Sequence, residues 1–190
     1  MLKIIRPVIA SLFVFTVITG IFYPLAVTGI AQLFFPVQAN GSVIVKNGKS
    51  AGSSLIGQPF NNPKYFWGRL SATSPFPYNA ASSSGSNLAQ TNPDLIKQVK
   101  DRISLLHEAD PQASAPVPAD IATSSGSGLD PHISPAAAAY QIRRVAHARG
   151  LDEAKVRTLV MNYTEGRQLG ILGEPRVNVL VLNTALDGIK

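Results

Sequence analysis

Between Ser125 and Pro135 the chain reads SGSGLDPHISP, bringing two serines, an aspartate and a histidine within eight residues. Those residue types could run acyl-transfer chemistry. Ser125 or Ser127 would attack, His132 would take the proton and Asp130 would orient the imidazole. The spacing argues against it, because serine hydrolases assemble such groups from distant parts of a fold, and the local GSG lacks the G-x-S-x-G elbow. A metal site fares no better. His107 and His147 are the other histidines, neither spaced as a ligand pair with His132, and the chain has no cysteine. As a phosphate cradle, a Gly/Ser loop feeding a helix N-terminus offers free N–H groups and a favourable dipole. Yet the G-x-x-x-x-G-K-[ST] pattern is absent and no lysine lies between Lys100 and Lys155. Asp before Pro favours a turn, so Asp130 and His132 are expected to hydrogen-bond the loop's own backbone. The loop then reads as a stiff joint that shapes a docking face.

The elements that hold this loop begin with an apolar rod. After Lys3 and Arg6 no charged side chain occurs until Lys46, and Pro7 to Phe35 is almost wholly apolar. Its 29 residues make a helix of roughly 43 Å, against a hydrocarbon core of about 30 Å. A signal-peptide core of about 7–15 residues is much shorter, so an uncleaved membrane anchor is expected. Lys3 and Arg6 put the N-terminus in the cytoplasm and everything past the span outside. Thr16, Gly20, Pro24, Thr28 and Gln32 recur every four residues, a small-or-polar series suited to packing on another helix, and Pro24 is expected to bend the rod. Without Lys3 and Arg6 the chain keeps 15 basic and 11 acidic residues. They are scattered, apart from Arg143, Arg144 and Arg149 on one predicted helix, and no basic face suits nucleic acid.

The expected fold class is α+β: residues 1–6 as a short cytoplasmic N-terminus, 7–35 as a single transmembrane helix, and 36–190 as one mixed, loop-rich soluble domain. Short strands are expected after the span, then an irregular Ser/Pro/Gly stretch over residues 74–93. Asn92 and Pro93 open a helix to about Glu108; Ser134 and Pro135 open a second ending before Gly150; Asp152 caps a third to about Tyr163. Alternation of Val177, Val179 and Val181 predicts a strand continuing outward.

Five blocks in order, YFWGRLSA, GSNLAQTNP, VPAD, TSSGSGLDPHISPAAAAYQIRRVAHARGL and GILGEPRVNVLVLNTAL, resemble the C subunit of the Kdp complex, the bacterial high-affinity potassium-transporting P-type ATPase. The resemblance spans essentially the whole chain. It departs from the family's YFWGRPSA and GSNLGPTNP at Leu70 and at Ala89–Gln90, exchanges that fall in loops. It implies a non-catalytic accessory subunit needed for assembly, described for that family as a catalytic chaperone that raises the ATP affinity of the hydrolysing subunit. Implied partners are a channel-like potassium-translocating subunit, a P-type ATPase subunit and a small single-span subunit, besides membrane lipid. No cofactor is expected to be tightly bound, and ATP would enter through the complex.

Gln141, by the same resemblance, lies in the segment proposed to contact nucleotide. The charges at Lys3 and Arg6 place it on the side away from ATP, so influence on ATP affinity would be indirect. A nucleotide-binding module and an anchored extracytoplasmic hydrolase are the alternatives. Tyr65, Phe66, Trp67 and Arg69 are candidate interface anchors, since aromatic and Arg residues dominate interface energies; for Phe66 and Trp67 core burial is the competing reading. Ser125, Gly126, Asp130, His132, Arg143 and Arg144 complete the candidate face.

Overall fold

The computed structural model describes residues 2–46 and 48–189. The chain divides into two compact units, Met1–Ala51 and Gly52–Lys190. In the first, α1 (Leu2–Val17) runs into a π-helical turn (Ile18–Phe22) and then α2 (Tyr23–Phe34). Proline has no N–H to give and its ring crowds the carbonyl four residues back, here that of Gly20. The perturbation expected at Pro24 takes the form of this wider turn, in which the Tyr23 N–H reaches back five residues to the Ile18 carbonyl. Together Ile4–Phe34 form a helix of 31 residues, long and apolar enough to cross a membrane. Two of its hydroxyls are satisfied locally, Ser11 Oγ donating to Val8 O at 3.0 Å and Thr19 Oγ1 to Phe15 O at 2.6 Å. Thr16, Gly20, Pro24 and Thr28 lie exposed on the rod.

Gln32 has a partner of its own. Its carboxamide and that of Asn40 exchange hydrogen bonds at 3.2 and 3.4 Å, spanning the break at Phe35 and the short α3 (Pro36–Ala39). A two-stranded sheet, β1 (Val43–Lys46) with β2 (Lys49–Ser53), follows, and the boundary between the two units falls inside β2.

The second unit holds five helices and a small antiparallel sheet among its described residues. They are α4 (Pro93–Ala109), α5 (Ala119–Ala122), α6 (Pro135–Arg149), α7 (Glu153–Asn162) and α8 (Val179–Leu186). The sheet has the order β3 (His132–Ile133), β5 (Arg176–Asn178), β4 (Thr164–Glu165). His132 faces Asn178 and Ile133 faces Val177, while Thr164 and Glu165 face Val177 and Arg176. The three long helices start at the expected caps: Asn92, Ser134 and Asp152 each accept a backbone N–H with the side chain. Gly150, at φ 66°, ends α6 in the left-handed conformation that glycine tolerates. Ala137, Ala138, Ile142, Val145 and Ala146 line the buried face of α6, and with Ile121, Ile133, Val156, Val177, Leu182 and Leu186 they form one core.

The expected strand through Val181 is corrected. It stops at Asn178, whose Oδ1 accepts the Val181 N–H at 3.1 Å and caps α8. Residues 179–186 are apolar on nearly every side, and such a run does not distinguish a buried strand from a buried helix by period alone; the cap decides it.

The segment Tyr65–Gly68 belongs to no helix or strand, yet Phe66, Trp67 and Gly68 are buried. Buried backbone without a ladder needs other partners. On α8, Asn183 supplies them for Phe66, accepting its N–H and donating to its carbonyl, both at 2.9 Å. Asn183→Ala strips both partners at once and should lower stability by about 2–4 kcal/mol. Chemical unfolding of the full chain in detergent, followed by the fluorescence of Trp67, the single tryptophan, measures this directly.

Candidate functional site

The Ser125–Pro135 loop is fixed on three sides. Ser125 N donates to Leu70 O at 3.2 Å. Ser71 Oγ donates to Gly128 O at 2.6 Å, and Ser84 N donates to Ser127 O at 3.0 Å. On the remaining flank Gly57 N donates to Leu129 O at 2.8 Å. The glycines are required by closeness. A Cβ on Gly128, which sits at φ 68°, would lie 2.6 Å from Ser84 O, and one on Gly85 would lie 2.7 Å from Gly126 O. The blocks around residues 71, 85 and 126 are thus one packed unit.

Inside the loop the would-be catalytic serines and aspartate serve the backbone. Ser125 Oγ accepts Gly128 N at 2.9 Å and Ser127 Oγ accepts Leu129 N at 3.1 Å. Asp130 Oδ1 accepts His132 N at 3.0 Å, with His132 Nδ1 3.4 Å away, and Oδ2 meets Arg69 Nη1 at 3.1 Å. Arg69 also donates to Ser124 O at 3.1 Å. Burial pushes the Asp130 carboxyl up, but the side-chain and backbone hydrogen bonds from His132, joined by the Arg69 charge, outweigh it and hold the group below the usual carboxylate value. One step on, Asp120 accepts Ser134 N at 2.7 Å and its hydroxyl at 3.1 Å while Ser134 caps α6. Gly126 and Ser127 are the exposed crest; Ser125 is buried.

Behind the loop lies a second node. Gln141 is 1% exposed, and every polar valence of its amide is used. Its Oε1 accepts Trp67 N at 2.7 Å and Arg144 Nη2 at 2.6 Å, and Nε2 donates to Trp67 O at 3.1 Å and Ala137 O at 3.2 Å. Arg144 also donates to Pro63 O and Tyr65 O and lies 4.2 Å over the Trp67 ring. Burial, and the like charge of Arg102, pull the Arg144 pKa down to about 10. Arg102 approaches the same ring at 5.3 Å and donates to Ile121 O and Gly68 O.

Phe66 and Trp67 are therefore core residues, at 0% and 3% exposure, and not surface anchors. Tyr65 is partly exposed, under Arg149 at 4.8 Å. Arg143 forks onto Asp110 at 2.6 and 3.1 Å at the rim of a cavity of about 650 Å³ that Arg144 also lines. The surface left for a partner near the loop is Arg69, Asp130, His132 and the crest of Gly126 and Ser127. Reasoning from the sequence missed Asn183 and Arg102; their only signal was a polar residue at an otherwise apolar helical position.

Two outcomes follow. Gln141→Leu keeps the volume but orphans the Trp67 N–H and carbonyl and one Arg144 donor, and should lower stability by about 2–4 kcal/mol in denaturant unfolding. Asp130 binds fewer protons folded than unfolded over the interval between its two pKa values. Its contribution is therefore complete above about pH 4 and is lost as pH falls through the lower, folded value. Unfolding free energies measured from pH 7 down to about pH 2 should fall less steeply for Asp130→Asn than for the wild type.

Sequence comparison places this architecture among known chains. The family described as K+-transporting ATPase, c chain, matches residues 5–188. The chain is 60% identical over 190 residues, 100% of both chains, to the potassium-transporting ATPase KdpC subunits of Sorangium cellulosum, Methylococcus capsulatus and Dechloromonas aromatica. Carrying the matched loop, its glycine contacts and the Gln141–Trp67 node within that span, the chain belongs to the KdpC family, the c chains of K+-transporting ATPases.

Proposed function

We propose that this chain is a non-catalytic accessory subunit of an ATP-driven potassium-uptake complex, needed for its assembly, and that it raises the ATP affinity of the hydrolysing subunit indirectly. Family membership supports the place in the complex. The observation that carries the indirect part is Gln141, whose amide is buried and fully committed to Trp67, Ala137 and Arg144. Turning it toward a nucleotide would orphan the Trp67 backbone and a guanidinium N–H. Serines that accept backbone N–H groups likewise favour a scaffold over a nucleophile.

On this reading the Ile4–Phe34 helix crosses the inner membrane with its N-terminus in the cytoplasm, as Lys3 and Arg6 direct. The following domain stands on the periplasmic side. Its partners are the channel-like potassium-translocating subunit, the P-type ATPase subunit and the small single-span subunit. ATP is met only through the complex, the outer domain biasing conformations that the ATP-hydrolysing chain samples.

The decisive experiment is limited proteolysis of the assembled complex in intact spheroplasts and in inverted vesicles. Exposed bonds such as those at Lys155 and Arg157 should be cut in spheroplasts and protected in inverted vesicles. Cleavage from the ATP side alone would refute the indirect mechanism.

A further inference from the structure

The connection between β4 and β5, GRQLGILGEP over residues 166–175, is built unlike a solvent turn. Gln168 and Leu172 exchange backbone hydrogen bonds, each at 2.9 Å, closing a three-residue tip of Leu169, Gly170 and Ile171. Exposed turns favour Gly, Asn, Asp and Ser. This one displays Leu169 at 88%, Ile171 at 74% and Leu172 at 54% exposure. Leu169 is held at φ 54°, a region few non-glycine side chains adopt, and Gly170 and Gly173 are also left-handed. A closed, apolar, convex knob of this kind is a contact element in search of a receiver.

Charge narrows what the receiver is. Glu165, Arg167, Glu174 and Arg176 are the charged residues of the knob and its stem, two of each sign. All four are paired: Arg167 forks onto Glu174 at 2.7 and 2.8 Å, and Arg176 meets Glu165 at 3.0 Å. An anionic bilayer surface would gain from uncommitted basic residues around an inserting tip, and the stem offers none. A second copy is disfavoured by symmetry, because a two-fold pair needs one self-complementary patch, whereas a knob entering a different patch on its twin makes a head-to-tail contact that builds rings or open filaments.

We propose that the Leu169–Gly170–Ile171 knob plugs into an apolar pocket with an uncharged rim on another chain of the same ATPase. This rests on the accessory-subunit reading above. The test uses the full chain expressed with the other chains of the ATPase and purified in mild detergent. Leu169→Ser with Ile171→Ser should reduce its retention in the complex by about tenfold or more. The unfolding midpoint reported by Trp67 should not move. Phe76→Ser, which removes a similarly exposed apolar residue elsewhere (56% exposed), should be retained like wild type. Independently, p-benzoylphenylalanine in place of Leu169 should photo-crosslink to another chain of the ATPase.

Retention of the double variant at the wild-type level overturns the assignment of the knob while leaving the accessory reading intact. Crosslinks to lipid or to a second copy of this chain overturn it as well. Failure of the wild-type chain to be recovered with any other chain overturns the accessory reading, and the knob's proposed receiver with it.

Discussion

Two carboxamides hold this domain together. Asn183 on α8 and Gln141 on α6 each take both the N–H and the carbonyl of one residue, Phe66 and Trp67 respectively, in a stretch that has no strand beside it. A buried backbone without a ladder is costly unless every polar group is met. Side chains here do what a neighbouring strand would do, and they do it from two helices at once. The position of YFWG between α6 and α8 is thereby fixed to within hydrogen-bond tolerance.

Much else depends on that clamp. With Trp67 pinned, Arg144 and Arg102 can approach its ring and spend their remaining donors on the carbonyls of Pro63, Tyr65, Gly68 and Ile121. Desolvation pulls both guanidinium pKa values down, yet at about 10 Arg144 stays charged at neutral pH. Just beyond, Arg69 and Asp130 tie the end of the same segment to the Gly/Ser loop. The loop's rigidity is thus borrowed from the core, and its polar groups are spent on geometry. Such a domain suits a chain whose family belongs to a multi-chain ATPase: it presents fixed surfaces and keeps reactive groups occupied.

A good deal of this was legible in the residues. The helices from Asn92, Ser134 and Asp152 announced themselves through caps and apolar period, and the long apolar rod through the gap in charge from Arg6 to Lys46. Asp130 bonds the loop's own backbone as its place before a proline suggests, since an Asp side chain reaches the N–H two residues on, whereas the His132 ring, expected to do the same, meets the Asp130 carboxylate instead. The strand predicted through Val181 failed for an equally plain reason. Residues 179–182 are an unbroken apolar run, so a period of two is satisfied by accident, and only the Asn178 cap reveals the helix.

What the amino-acid order alone determined is therefore local: where helices begin, where the membrane-length helix runs, that the loop turns, and, by the matching of several blocks, which family the chain joins. What the tertiary structure decided is which side chains meet across long separations. Asn183 finds Phe66 across 117 positions and Gln141 finds Trp67 across 74, and Phe66 and Trp67 become core instead of surface. No periodicity encodes such meetings, because they depend on how helices pack against an irregular segment, and the energy of a buried amide is known only once its partners are in place.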